Sequence, residues 1–205
     1  MTPNYEPQLQ PIDIAELRPT QITVGFLEVT EKRREWRKTA KRHGAEFLGH
    51  HMVPVVLGPK ERPYLVDHHH LVRALHEEGV AHVLTSIVFD LSHLSKDEFW
   101  SVMDHRHWMY PFDAQGLRRS HQDLPRTIAG LVDDPYRSLA GALRRAGGYA
   151  KDATPYSEFM WANFLRSRID AKRIANDIDK AVHDALDLAH GKSASFLPGW
   201  CGVTD

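Results

Sequence analysis

The chain has a single cysteine, Cys201. An intramolecular disulfide is therefore excluded, and a cysteine-based zinc site is implausible. Surplus charge is missing too. Lys+Arg number 26 against Asp+Glu 27, a formal net charge of -1. No global field draws the chain to nucleic acid, so such binding would need a local basic patch. No run is long and apolar enough to cross a bilayer, and the polar opening "MTPNYEPQLQP" does not read as a secretory signal. No membrane partner is expected, and the expected location is cytoplasmic. Internal repeats and low-complexity segments are absent as well.

What is present is ordinary globular composition, 42% hydrophobic and 26% charged over 205 residues, with an unusual 14 histidines. That length suits one large domain or a domain with a helical appendage. Residues 1–11 read as a flexible arm. Short extended pieces follow around Pro19. Thr30 resembles the cap of a helix over "EKRREWRKTAKRHG", with Gly44 as its stop. "MVPVVLG" and "PYLVD" read as two strands joined by the turn "PKER". A helix through "HLVRALHEEG", a strand "HVLTSIVFDL" and a Ser95-capped helix come next.

The remainder has a different texture. A loop over "YPFDAQGLRRSHQDLP" leads into segments with helical spacing, including "YSEFMWANFLRSRI" and "DAKRIANDIDKAVHDALDLAHGK". Pro135 and Pro155 suit helix starts, and the aromatic tail "SASFLPGWCG" suits packing back on the body. A mixed strand–helix part followed by an all-helical part gives an α+β class. The boundaries implied are an α/β domain over 12–112 and a helical region over 113–205 packed on it.

The most concentrated chemistry is "YLVDHHHLVRAL". The strand runs into Asp67, and the spacing of Leu71 and Leu75 requires a helix almost at once. Asp67, His68, His69 and His70 therefore occupy a strand-to-helix junction. A helix N-terminus offers backbone N–H groups and partial positive charge to an anion. Imidazoles there donate to phosphate or pass protons. Asp67 could cap the helix, orient a histidine or hold a magnesium ion. The plain alternative is an N-cap with solvated histidines. Three adjacent residues point in different directions, so a shared zinc site is disfavoured.

This stretch resembles the Asp-Gly-His-His-Arg signature of the ParB/sulfiredoxin superfamily, and most closely its ParB-like nuclease branch. "LRPTQITVG", "DDPYRSLAGALRRAGGYAK", "PYSEFMWANFLR" and "FLPGW" look typical of that branch, so the likeness extends from about residue 14 onward. It implies a ParB/sulfiredoxin-like N-terminal mixed sheet with helices and nucleotide phosphates held at the junction. Relatives include partition proteins, sulfiredoxins and free serine kinases. Two departures stand out. His68 replaces the signature glycine, and Leu71 replaces the arginine, removing a bidentate phosphate ligand. Arg73 could replace that arginine in part. Sulfiredoxin's catalytic cysteine has no counterpart, since Cys201 lies in the tail. A partition-protein reading lacks both a helix-turn-helix and a basic surplus.

The resemblance to the kinase-like relatives makes Glu28 the candidate base toward a substrate hydroxyl, with His69 and His70 as the other catalytic candidates. His68, His69, His70, Arg73 and Lys151 are the phosphate candidates, and Asp67 the metal candidate. "DHRHWMYPFD" offers Asp104, His107, Trp108 and Tyr110 as a substrate pocket, against core packing of the two aromatics. Lys32 and Arg33 more simply form a solvated helix face. The implied activity is nucleotide-dependent phosphotransfer or phosphate hydrolysis on a small molecule, with ATP or ADP and Mg2+. A nuclease or nucleic-acid-associated module, and a nucleotide sensor without turnover, are the alternatives.

Overall fold

The computed structural model describes residues 9–202. It divides into two compact units, Met1–Val24 with Val29–Val132, and Gly25–Glu28 with Asp133–Asp205. Of the expected flexible arm, residues 1–8 lie outside the described residues. Residues 9–11 belong instead to strand β1 (Leu9–Asp13), paired antiparallel through Ile12↔Val83.

The first unit is built on a five-stranded mixed sheet. Its strands in chain order are β1, β2 (Arg18–Pro19), β4 (Val53–Gly58), β5 (Arg62–Leu65) and β6 (His82–Asp90), while a short strand β3 (Thr23–Val24) lies outside it. The spatial order is β1-β6-β4-β5-β2. Central β4 reads Val-Pro-Val-Val-Leu, and Val53, Val55 and Val56 are fully buried. Such an apolar run fits a strand with neighbours on both sides. Proline is tolerated in β2 because that strand is an edge. Helix α2 (His69–Glu77) buries Leu71, Val72, Ala74 and Leu75 against the sheet core, and Gly79 ends the turn with φ 73°. Helix α3 (Lys96–His105) starts with the expected Ser95 cap, which Glu98 completes into a capping box, and buries Phe99 and Met103 against Val56.

Helix α1 (Phe26–His50) departs from expectation at both ends. Thr30 and Gly44 lie inside it. Its first N–H groups are capped from far along the sequence, Phe26 donating to Asp133 Oδ1 at 2.7 Å and Leu27 to Ser138 Oγ at 3.2 Å. No local pattern announces such caps. The break expected at Gly44 is only a kink at His43 (φ -137°, ψ 28°).

Arg33 and Arg37 reach from α1 to Glu78 just beyond α2, each with an Nε···O distance of 2.6 Å. The Arg37 bonds, then those from Arg33, hold the Glu78 carboxyl at about 2 against an ordinary 4.5. A carboxyl depressed in the folded state contributes stability above its unfolded value and loses it as pH falls through the folded one. Between pH 4.5 and 2, the melting temperature of the wild type should therefore fall more steeply than that of Glu78→Gln. Parallel acid limbs in thermal melts would refute this.

The second unit holds helices α4 (Pro135–Arg145), α5 (Ser157–Arg166), α6 (Ala171–Asn176) and α7 (Ile178–His190). Pro135 is the first residue of α4, as expected, with Asp134 as N-cap. Pro155 starts no helix. Tyr156 intervenes in a left-handed conformation, and α5 begins at Ser157. The long C-terminal helical pattern is cut in two by Asp177, whose side chain accepts from the Lys180 N–H and starts α7 afresh. The tail packs back as expected, with Ala150 N–H donating to Gly199 O and Trp161 Nε1 to Pro198 O, both at 2.8 Å.

Residues 113–132, expected with the helical region, group with the first unit. They contain only single helical turns at His121–Asp123 and Ile128–Gly130, and Leu124, Ile128 and Leu131 bury among first-unit side chains. The β7 strand (Val132–Asp133) follows, Val132 N–H donating to Ile22 O. Among the described residues no helix is long and apolar enough to cross a membrane.

Candidate functional site

β5 delivers the chain to Asp67, and α2 starts two residues later. His68 is the N-cap of α2, in the left-handed region at φ 64°, ψ 23°. It supplies no side-chain cap. Its Nδ1 is buried with no hydrogen-bond partner among the described residues. Asp67 is exposed, and its Oδ1 accepts the His68 N–H at 2.7 Å.

His69 is 5% exposed, and its Nε2 accepts the Thr20 N–H at 3.2 Å. A ring nitrogen that accepts carries no proton, so the ring is neutral with its proton on Nδ1. The Thr20 hydroxyl in turn donates to Leu65 O at 2.6 Å. Edge strand β2 and the end of β5 thus hold the imidazole in one orientation. His70 is half-buried in the first turn of α2.

The other predicted residues have partners of their own or belong to the other unit. Arg73 is already engaged: its Nε binds Glu77, and Nη1 donates to the carbonyls of Ile128, Ala129 and Leu131. Taking a phosphate would break that set. Glu28 and Lys151 belong to the second unit. Glu28 lies in the first turn of α1, after the extended segment as expected, but inside the helix rather than ahead of it. Its Oε1 binds Arg145 at 2.5 Å. Lys151 is exposed past the end of α4.

The predicted substrate pocket disperses as well. Asp104 borders a hollow of about 400 Å³ and binds Arg118 at 2.7 Å. His107 is an exposed turn residue at φ 55°. Trp108 packs on Phe89 with centroids 5.4 Å apart, and Tyr110 stacks on Phe112 at 4.3 Å. The two aromatics serve packing.

Sequence reading missed a cleft of about 630 Å³ in the first unit, bordered by Arg18, Arg62, Lys96, Arg126, Trp100 and His121. Two Arg-Pro dipeptides, Arg18-Pro19 and Arg62-Pro63, lie on neighbouring parallel strands offset by two residues, Arg18 pairing with Tyr64. Pro19 borders the cleft and is followed by Thr20, the partner of His69. Tyr64, also on the cleft, stands three residues before Asp67, about 10 Å along an extended chain.

A family model described as "Putative ParB-like nuclease" matches residues 10–167. The chain belongs to the ParB-like nuclease family. It is similar to the solved "Crystal structure of protein Atu1540 from Agrobacterium tumefaciens", at 62% identity over 97% of this chain and 100% of that one, with a TM-score of 0.91. No curated protein matches it.

In this ParB-like chain the left-handed backbone at residue 68 accounts for glycine in the commoner signature. A side chain there costs about 1–2 kcal/mol, offset in part by the greater unfolded-state freedom of glycine. His68→Gly should therefore melt at the same temperature or a few degrees higher, by up to about 1 kcal/mol. A clear loss of stability in a thermal melt would contradict that account. Among the described residues no group of three His, Cys, Asp or Glu side chains could hold a metal ion. Asp67, with one oxygen engaged by the His68 N–H, fits only a metal whose other ligands come with a phosphate.

Proposed function

We propose that this ParB-like protein is a phosphotransferase or phosphohydrolase acting on a small molecule, with the reacting phosphate seated at the N-terminal turn of α2. The observation that supports this most is His68. Its buried Nδ1 has no partner among the described residues, and it stands at the start of a nine-residue helix that its side chain does not cap. A buried polar atom without a partner costs about 1–3 kcal/mol, so such atoms tend to mark where a ligand completes the bonding.

In this reading His68 and the first turn of α2 bind phosphate oxygens. His69, locked by Thr20, acts as a neutral donor through Nδ1–H, and His70 handles a proton at the transferred group. Asp67 holds Mg2+ arriving with ATP or ADP, and the metal supplies charge neutralisation when bound. Nucleic-acid cleavage is the second reading, supported by the family description and by the cations of the cleft. It predicts affinity falling steeply with salt.

Calorimetry with ADP, ATP and CTP, followed by a phosphate-release assay, tests the proposal. Binding of at least one nucleotide and measurable phosphate release are expected. His69→Ala should lower release about a hundredfold while circular dichroism is retained. Full activity in His69→Ala, or no binding of any nucleotide, would refute the assignment.

A further inference from the structure

The cleft of about 630 Å³ brings together Arg18 on β2, Arg62 on β5, Lys96 at the start of α3 and Arg126 on the following loop. Among the described residues no carboxylate borders it. None of the four cations makes an ion pair among the described residues. Other arginines of the same unit, Arg33, Arg37, Arg73, Arg118 and Arg119, are each paired with Glu or Asp. Four unneutralised cations facing one hollow repel each other in a chain whose net charge is -1.

The cations are also positioned. The Arg18 guanidinium donates to the carbonyl of Arg126, which fixes one wall to another. Arg62 stands near Tyr64 on the cleft wall, and burial pushes the Tyr64 hydroxyl up from its ordinary 10. Trp100 and His121 stack at 5.0 Å with 19° between planes and form a flat aromatic wall.

The cationic character stops at that wall. The neighbouring hollow shares Trp100 and His121 but borders Asp97 and Asp104. Its arginines are already engaged, Arg118 by Asp104 and Arg119 by Asp113. A single strand tracked across the surface needs a continuing positive groove. Here the field is confined to a volume typical of a small-molecule site.

We propose that this cleft is the recognition site for a compact polyanionic substrate, a linear phosphate chain of three or more negative charges, free or carried on a nucleoside. This names the substrate class for the reaction proposed above and rests on that reading for turnover alone; the binding stands on the cleft. Arg18, Arg62 and Arg126 take the chain oxygens through forked donors and Lys96 as a point charge.

Isothermal titration with inorganic tripolyphosphate, orthophosphate, ATP and a dT12 oligonucleotide tests it on the full chain. Tripolyphosphate should bind at least tenfold more tightly than orthophosphate. Arg62→Glu and Lys96→Glu should each weaken tripolyphosphate at least tenfold, and the milder Arg62→Gln about threefold, with unchanged circular dichroism. ATP binding at least tenfold tighter than tripolyphosphate identifies the nucleoside-borne form, and equal binding the free chain. Affinity that survives Arg62→Gln and Lys96→Glu, or dT12 binding tighter than tripolyphosphate, overturns the proposal. Charge-sensitive binding without phosphate release leaves the cleft standing and removes the catalytic reading. Release with unaltered affinity in the cleft variants does the opposite.

Discussion

Phe99→Ala should destabilise the first unit by about 3–5 kcal/mol, the range for removing a fully buried aromatic ring. The ring is completely enclosed. It lies 4.6 Å from the Tyr64 ring and 5.0 Å from the Trp100 ring, so it backs two walls of the basic cleft. A Cβ added at Gly58 would come within 2.8 Å of it, so β4 passes tightly against its edge. On the sheet side the void cannot close without moving β4 or β5. Chemical denaturation should report the loss, and tripolyphosphate affinity should fall with it as Tyr64 and Trp100 lose their support. Phe99→Leu, which keeps most of the volume, should cost far less. A loss below about 1 kcal/mol for Phe99→Ala would mean the pocket collapses freely.

Trp161→Ala should have a comparable effect in the second unit. The indole is fully buried, stacks on Tyr149 with centroids 4.4 Å apart, and donates through Nε1 to Pro198 O at 2.8 Å. Alanine leaves a cavity of aromatic size and a carbonyl without its donor, about 3–5 kcal/mol for the first and 1–3 for the second if it stays dry. Trp161→Phe separates the two, since it keeps a ring for Tyr149 and loses only the N–H. The residues around Pro198 should then become cleavable in limited proteolysis while the helices persist. An unchanged tail in Trp161→Phe would assign its anchoring to the Ala150–Gly199 bond instead.

How far the sequence could be read depended on whether the cause was local. The strand–turn–strand of "MVPVVLGPKERPYLVD", the Ser95 capping box and the start of α2 next to Asp67 all follow from residues within a few positions of one another. The start of α1 does not, because Asp133 and Ser138 supply its caps from more than 100 positions away. The histidine junction was legible because adjacent residues must share one junction. The engagement of Arg73 could not be foreseen, because its three carbonyl partners lie on a loop 55 to 58 positions downstream. The cleft was illegible for the same reason: Arg18, Arg62, Lys96 and Arg126 are scattered along the chain and meet only through sheet pairing and the packing of α3.

The left-handed turn at residue 68 also limits how lineages bearing this fold can drift. Glycine adopts that conformation freely, and asparagine, aspartate and histidine enter it more readily than most. Branched side chains such as valine, isoleucine and threonine are excluded by their own crowding, whatever their chemistry toward a ligand. Evolution at this point of the chain therefore chooses within a short alphabet set by the backbone, and an imidazole is among the few functional groups that alphabet contains.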